Sequence, residues 1–97
     1  MNNVVSDEIL DHYFEVTERA YNIVKISVPQ SSHFYPIAKD FLNMAKAYIE
    51  DAKYFRSKGD YIRALGSIYY AHGWLDAGAR LGIFDVGENH ELFTLAK

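Results

Sequence analysis

The sequence contains no cysteine, and this absence excludes disulfide bonds, thiolate catalysis and thiolate metal sites. It has only two prolines and no low-complexity stretch, so nothing indicates a linker between domains. No apolar run approaches the roughly 20 residues that span a bilayer, and the first residues lack the basic start and apolar stretch of a signal peptide. The net charge of -3 provides no general attraction to nucleic acid or anionic lipid. These absences predict a cytoplasmic protein that does not associate with membranes.

The composition is that of an ordinary globular protein. Of the 97 residues, 49% are hydrophobic and 24% are charged, which is too apolar for a disordered chain. A chain of this length is large enough to bury one core of its own. We therefore expect residues 1–97 to form a single domain.

The first helix is predicted from a cap, a periodic stripe and a proline. Ser6 is a typical N-cap residue, and Asp7 and Glu8 follow it where negative charge favours a helix N-terminus. Pro29 cannot continue a helix, so the predicted helix covers 7–28. Apolar or small residues recur at three- and four-residue steps and predict the buried face: Ile9, Tyr13, Val16, Ala20, Val24 and Ser27, widened by Leu10, Thr17 and Val28.

Two further helices follow, separated by a tight turn. Pro36 suits the first position of a helix, and the predicted second helix covers 36–58. Its predicted buried residues are Ile37, Phe41, Met44, Ala45, Tyr48, Ala52 and Phe55. Gly59 is a typical helix terminator and Asp60 a typical N-cap, which places the third helix at 60–81, with Gly82 as its end.

These segments predict an all-α protein. Three long helices joined by short loops favour an antiparallel, up-down-up bundle. No alternating pattern indicates a strand. The tail at 82–97 is predicted to be a loop with at most one further turn of helix.

The third helix differs from the others because it carries two apolar stripes. One stripe faces the predicted core: Tyr61, Ala64, Leu65, Ile68, Ala71, Leu75 and Ala79, with His72 at its edge. The second consists of Gly66, Tyr70, Gly73, Trp74, Ala77 and Leu81. A helix that is apolar on two faces is usually covered on both. Glycine costs about 1 kcal/mol in a helix interior, so these glycines indicate close approach of another element.

Two elements could cover this second stripe. One is the C-terminal tail, with Phe84 and the cluster of Leu92, Phe93 and Leu95. The other is a second copy of the chain, for which tyrosine and tryptophan are typical anchors. The tail is short, is set apart by a glycine and carries polar residues, so the dimer is favoured. The predicted interaction residues are Tyr70, Gly73, Trp74, Ala77 and Leu81.

A long motif runs through the third helix and beyond it. It reads G-D-Y-x-x-A, then Y-A-H-G-W-x-D-A-G-x-R-L-G, then F-D-V, between residues 59 and 86. In this motif the sequence resembles a small archaeal family of uncharacterised helical proteins, known only as a domain of unknown function. The resemblance implies a three-helix bundle of the spectrin-like or albumin-binding-domain type. It implies no activity.

Four polar residues of this motif are candidates for chemistry. His72 and Asp76 lie one helical turn apart and could share a cation, and Asp85 could approach from beyond the helix. Two ligands are too few for a metal site, however, and a structural role is the simpler interpretation. In that interpretation His72 borders the core and Asp76 pairs with Arg80 four residues on. We therefore expect no metal, no cofactor and no catalytic residue.

The turn between the second and third helices is basic and aromatic. Its cations are Lys53, Arg56, Lys58 and Arg63, and its tyrosines are Tyr54 and Tyr61. Such a surface could hold phosphates and stack bases, although the acidic chain makes a nucleic-acid partner the weaker interpretation. The sequence thus favours a non-enzymatic protein-interaction module whose partner is a protein, including a second copy of itself. The alternatives are an accessory RNA or ribonucleoprotein factor, and a small ligand binder or enzyme at His72, Asp76 and Arg80.

Overall fold

The computed structural model describes residues 2–93 and contains three α-helices. They are α1 (Asp7–Ile23), α2 (Phe34–Ser57) and α3 (Tyr61–Leu81), and a short 3-10 helix follows at His90–Leu92. The prediction of an all-α, three-helix architecture is confirmed. Among the described helices, none combines the length and the hydropathy that a transmembrane span requires.

The ends of α1 and α3 follow from local capping chemistry. The Ser6 hydroxyl accepts a hydrogen bond from the Ile9 amide at 3.2 Å, and the Asp60 carboxylate accepts one from the Arg63 amide at 3.1 Å. At the other end of α3, Gly82 has a φ of 89°. That left-handed conformation suits glycine, and it returns the next amide to the helix, where it donates to the Gly78 carbonyl at 3.1 Å.

The predicted first helix, 7–28, was too long, and the expectation of no strand was wrong. α1 ends at Ile23, and β1 (Lys25–Ile26) pairs antiparallel with β2 (Phe84–Asp85). The segment after Ile23 is rich in β-branched residues, which favour extended backbone. The tail then supplies the hydrogen-bonding partner, and the Ser27 amide extends the pairing by donating to the Ile83 carbonyl at 2.9 Å.

The buried face of α1 also differs from the predicted stripe. The buried residues are Leu10, Phe14, Thr17 and Ala20. Ile9, Tyr13 and Val16, which the sequence pattern placed in the core, are only half-buried. Apolar residues are spread over a wide arc of this helix, so the pattern did not specify which part of the arc meets α3. The missed core residue is Phe14.

α2 and α3 form the most closely packed pair, with small residues at their contact. The fully buried alanines are Ala38, Ala45 and Ala52 on α2 and Ala64 and Ala71 on α3. Small side chains allow two helix axes to approach. On α3 the predicted core residues Ala64, Ile68, Ala71 and Leu75 are buried. On α2 the predicted core residue Ile37 is instead 40% exposed.

The described part of the tail packs against the helices. Five of its apolar residues are buried: Ile83, Phe84, Val86, Leu92 and Phe93. Gly78 of α3 accommodates this segment, because a Cβ atom at that position would overlap the ring of Phe84. The tail thereby belongs to the core instead of extending from it.

Candidate functional site

The second stripe of α3 remains largely open in the folded chain. We call Tyr70, Gly73, Trp74, Ala77 and Leu81 the outer face. Tyr70 is 51% exposed and Leu81 is 55% exposed. A shallow concavity of about 310 Å³ lies on this face. It is lined by Tyr70, Gly73, Trp74 and Ala77. None of the five side chains carries a charge. The outer face is therefore an exposed apolar strip, which monomeric proteins seldom leave uncovered.

Rings from α2 fix the aromatic residues of the outer face. Phe41 meets Trp74 edge to face, with ring centroids 4.9 Å apart, and Tyr48 meets Tyr70 in the same way at 4.5 Å. The indole Nε1 of Trp74 is buried and has no hydrogen-bond partner among the described residues. Held by α2, these rings present a preformed surface, so a partner would not have to order them.

Gly66 and Gly73, the glycines of the second stripe, are not covered by the described part of the chain. Among residues 2–93, a Cβ atom added at either position would meet nothing within 4 Å. Close approach of another described element therefore does not explain either residue. The room they leave is available to another molecule.

The described tail contacts α3 at Gly78, beside the ring of Phe84, and at His72, whose ring centroid lies 6.1 Å from that of Phe93. Trp74 packs against the buried cluster that includes Phe84. The ring of Trp74 contacts the rings of Phe41 and Tyr70. Leu95, the last member of the predicted covering cluster, lies outside the described residues. The described tail thus leaves Tyr70 half-exposed.

His72 joins three elements of the fold through both ring nitrogens. Nδ1 lies 3.0 Å from the hydroxyl of Thr17 on α1, and Nε2 lies 2.7 Å from the carbonyl oxygen of Leu92 in the tail. A carbonyl only accepts, so Nε2 carries a proton and donates to it. In the neutral ring Nδ1 then accepts from Thr17. His72 therefore connects α1 to the tail through both ring nitrogens.

The remaining polar candidates do not converge with His72 on a metal site. A carboxylate oxygen of Asp76 lies 3.7 Å from His72 Nε2, whereas Arg80 lies exposed in the last turn of α3. Asp85 is in β2, where its carboxylate accepts a hydrogen bond from the Gly87 amide at 2.9 Å. Over residues 2–93, no three His, Cys, Asp or Glu side chains are grouped closely enough to hold a metal ion.

A second cavity, of about 300 Å³, lies between α1 and α3. Its walls include Tyr13 and Thr17 of α1 and Tyr69, His72 and Asp76 of α3. The rings of Tyr13 and Tyr69 are 4.6 Å apart between centroids, and their side-chain hydrogen bond raises the pKa of Tyr69. The sequence indicated His72 and Asp76 but not the two tyrosines, because their meeting depends on how α1 packs on α3.

The cations of the basic turn are largely matched by carboxylates. Lys53 Nζ lies 2.8 Å from Glu18, and Arg56 lies 2.7 Å from Asp11 and 3.2 Å from Asp7. All three of these acids belong to α1, so their position could not be deduced from the turn itself. The turn is therefore a mixed-charge surface, and phosphate would have to compete with carboxylates for it.

Asp7 is the centre of this ion-pair cluster. The hydroxyl of Tyr61 donates a hydrogen bond to its carboxylate. This bond and the hydrogen bond from Arg56 together lower the pKa of Asp7. The hydrogen bond to Asp7 raises the pKa of Tyr61. The pKa of Arg56 is raised mainly by its hydrogen bond to Asp11 and to a smaller extent by the one to Asp7. The cluster ties the first turn of α1 to the α2–α3 turn.

The comparisons with known proteins identify a family but no activity. The model of the family described as "Protein of unknown function (DUF357)" matches residues 12–84. Neither the curated proteins nor the solved structures contain a match to this chain.

Proposed function

Because the chain belongs to the family described as "Protein of unknown function (DUF357)", whose description assigns no activity, we propose a function from the geometry alone. The protein is a non-enzymatic interaction module that self-associates through the outer face of α3. The observation that supports this proposal is the outer face, an uncharged and partly aromatic strip with open space beside Gly73. Exposed apolar strips of this kind are typical of protein contacts.

A second copy fits the outer face because the strip is complementary to itself. Its small residues, Gly73 and Ala77, lie between the bulky Tyr70 and Leu81. In an antiparallel twofold pair of α3 helices, the small residues meet at the crossing point. Tyr70 then packs against Leu81 of the second copy, and the same contact occurs twice, as twofold symmetry requires. A partner with a strong charge would find nothing to pair with on this strip.

The outer face supplies part of the area that such a contact needs. From Tyr70 to Leu81 it extends over about 17 Å at 1.5 Å per residue. A footprint of that length and two helices wide, roughly 20 Å, covers on the order of 340 Å², nearly half of the roughly 800 Å² per partner of a typical specific interface, so flanking residues would complete the contact. α2 contributes to this width through Tyr48 and Phe41, which already contact the outer face.

The test is the variant Gly73→Leu. The leucine has room beside the described residues, since a Cβ atom there meets none of them within 4 Å, so the fold should survive. In a dimer the same side chain would hold the two helices apart. We expect the wild type to sediment as a dimer at micromolar concentration and Gly73→Leu to sediment as a monomer with an unchanged helical circular dichroism signal.

Asn22→Leu is the matched control, because it adds the same side chain at an exposed position of α1. It should remain dimeric. A wild type that stays monomeric across the micromolar range, or a Gly73→Leu variant that remains a dimer, would contradict the proposal.

The alternative function, an RNA or ribonucleoprotein factor, has less support. Its surface was the basic turn, where Lys53 and Arg56 are paired with carboxylates of α1. The ligand-binding alternative has a specific observation in its favour, the cavity between α1 and α3 that includes Asp76.

A further inference from the structure

α2 has an apolar stripe of its own beside the outer face. The ring of Phe41 contacts Trp74, and Tyr48, two turns further along α2, contacts Tyr70. Residues at three- and four-residue steps from these two rings lie on the same side of the helix. They define a set that we call the α2 stripe: Phe34, Ile37, Phe41, Met44 and Tyr48. None of the five side chains carries a charge.

The beginning of the α2 stripe is open to solvent. Phe34 is 47% exposed and Ile37 is 40% exposed, and Met44 is half-buried. Ile37 has the spacing of a core residue, yet it is not in the core. Exposed apolar side chains one turn apart, next to an apolar strip on the neighbouring helix, are typical of a protein contact.

A contact confined to α3 would be narrow. An α-helix with its side chains is about 10 Å wide, so the roughly 17 Å from Tyr70 to Leu81 would cover on the order of 170 Å². That is about a fifth of the roughly 800 Å² per partner in a typical specific interface. A stable dimer therefore needs a second helix from each copy, and the α2 stripe is the apolar surface that adjoins the outer face.

The α2 stripe is symmetric about Phe41. Phe34 and Tyr48 lie seven residues before and after Phe41, and Ile37 and Met44 lie four before and three after it. If α2 packs antiparallel on its own copy with a twofold axis at Phe41, residues on opposite sides of Phe41 meet. The stripe is thereby complementary to itself, as a twofold contact requires.

The pairing of the two α3 helices requires the same axis. Tyr70 and Leu81 of two copies meet only if the axis lies midway between these positions, at the level of Leu75. Phe41 lies close to that level on α2, because its ring contacts Trp74 with 4.9 Å between centroids. An axis that runs in the plane of the contact and crosses α3 at right angles therefore also passes Phe41. One symmetry operation serves both helices.

On the premise that the protein self-associates through the outer face, we propose that α2 forms the second half of the contact. α3 packs on α3 and α2 packs on α2 of the second copy, both antiparallel, so four helices form the interface. Phe41 meets its own copy at the axis. Ile37 packs against Met44 of the second copy, and Phe34 packs against Tyr48. The contact buries the apolar side chains that the single chain leaves exposed.

The absence of cysteine makes this pairing measurable by disulfide formation. The full-length variants Ile37→Cys and Met44→Cys are purified separately, mixed, left to exchange subunits and oxidised. In the mixture the two thiols face each other, within the roughly 4.4–6.8 Å between Cα atoms that a disulfide spans. Alone, equivalent thiols are displaced along the helix by about 12 Å for position 37 and about 9 Å for position 44. We expect severalfold more covalent dimer from the mixture than from either variant alone.

Ile37→Glu measures how much the α2 stripe contributes to affinity. Ile37 is 40% exposed, so a glutamate stays hydrated in the single chain and the helical circular dichroism signal should persist. In the dimer the carboxylate would be buried against Met44. We expect self-association to weaken about tenfold or more in sedimentation experiments. Asn43→Glu is the matched control, since it adds the same side chain at an exposed position of α2 outside the stripe, and it should leave affinity unchanged.

The outcomes separate this inference from the proposed function. If the wild type dimerises and Gly73→Leu is monomeric, but Ile37→Glu associates as tightly as Asn43→Glu, α2 lies outside the contact and self-association through α3 stands alone. Equal crosslinking of the mixture and of either cysteine variant by itself would overturn the antiparallel pairing about Phe41. A wild type that stays monomeric overturns both.

Discussion

Gly73 and Gly78 lie on the same helix, five residues apart, and their surroundings are opposite. At Gly78 a Cβ atom would overlap the ring of Phe84, whereas at Gly73 it would meet no described residue within 4 Å. Gly78 is therefore required by the chain's own tail. Gly73, like Gly66, leaves room that no residue of 2–93 uses. The comparison shows that a glycine in a helix can serve internal packing or an external contact, and that only its surroundings tell which.

The largest effect is expected from making the same change at a buried and at an open glycine. Gly78→Leu must displace Phe84 and the tail, which should destabilise the fold by about 3 kcal/mol, the upper part of the range for overpacking. Gly66→Leu places the same side chain in open space and should be neutral or stabilising by up to about 1 kcal/mol, because glycine is a poor helix former. Chemical denaturation measures both.

Adding Phe84→Leu to Gly78→Leu gives an internal check. If the clash is with this ring, the double variant should recover part of the lost stability. If Gly66→Leu and Gly78→Leu destabilised the fold equally, the conclusion that Gly78 is packed and Gly66 is open would be wrong.

The next effect concerns how the tail is held to the buried side of α3. His72→Ala removes the contacts with Thr17 and the Leu92 carbonyl, and Thr17 is 2% exposed. A buried group that loses its partner costs about 1–3 kcal/mol, so a loss of about 2 kcal/mol is expected.

The loss of His72 should be localised. Amide hydrogen exchange should accelerate in the tail around 90–93 more than in α2, since the tail loses its hydrogen-bond donor. Thr17→Val, which keeps the shape and removes only the Nδ1 contact, should cost less and leave the tail protected. If His72→Ala accelerated amide exchange equally in the tail and in α2, the expected local effect would be contradicted.

The smallest effect is expected at the exposed Asp7 cluster, where pH is the probe. Hydrogen bonds from Tyr61 and Arg56 lower the pKa of Asp7 below 3.8 in the folded chain. The stabilisation is therefore present above pH 3.8 and is lost as the pH falls through the lower folded value. Asp7→Asn should remove this part of the pH dependence, so wild type and variant should converge in acid.

The size of the Asp7 effect should be modest because the carboxylate is exposed. Melting temperatures measured from neutral pH down through pH 3 would show it. A difference between wild type and variant that grows toward acid would refute the assigned direction. Asp51→Asn, on the exposed side of α2, is a suitable control.

The sequence was sufficient to predict most features that depend on near neighbours. Ser6, Asp60 and Gly82 mark helix ends because capping bonds join residues three or four positions apart. The two stripes of α3 were likewise apparent from its period, and its core residues Ala64, Ile68, Ala71 and Leu75 are buried as predicted. Within the outer face, the side chains of Tyr70 and Leu81 are each about half exposed.

Features that depend on distant residues were missed. The pairing of Lys25–Ile26 with Phe84–Asp85 ends α1 early, and it joins segments almost sixty positions apart. The acids that neutralise the basic turn come from α1, and Tyr13 meets Tyr69 only because α1 packs on α3. No local pattern contains this information, because the energy of each contact depends on both partners being brought together.

By itself, then, the sequence determined three helices, the capped starts of α1 and α3, the glycine end of α3, and a third helix with two apolar faces. These follow from backbone hydrogen bonds and side-chain periodicity, which act over a few residues. The tertiary structure alone decided which glycine is filled, where α1 gives way to a strand, and that His72 crosslinks Thr17 to the tail. Those outcomes depend on packing between elements far apart in the chain, where volume and hydrogen-bond partners are shared.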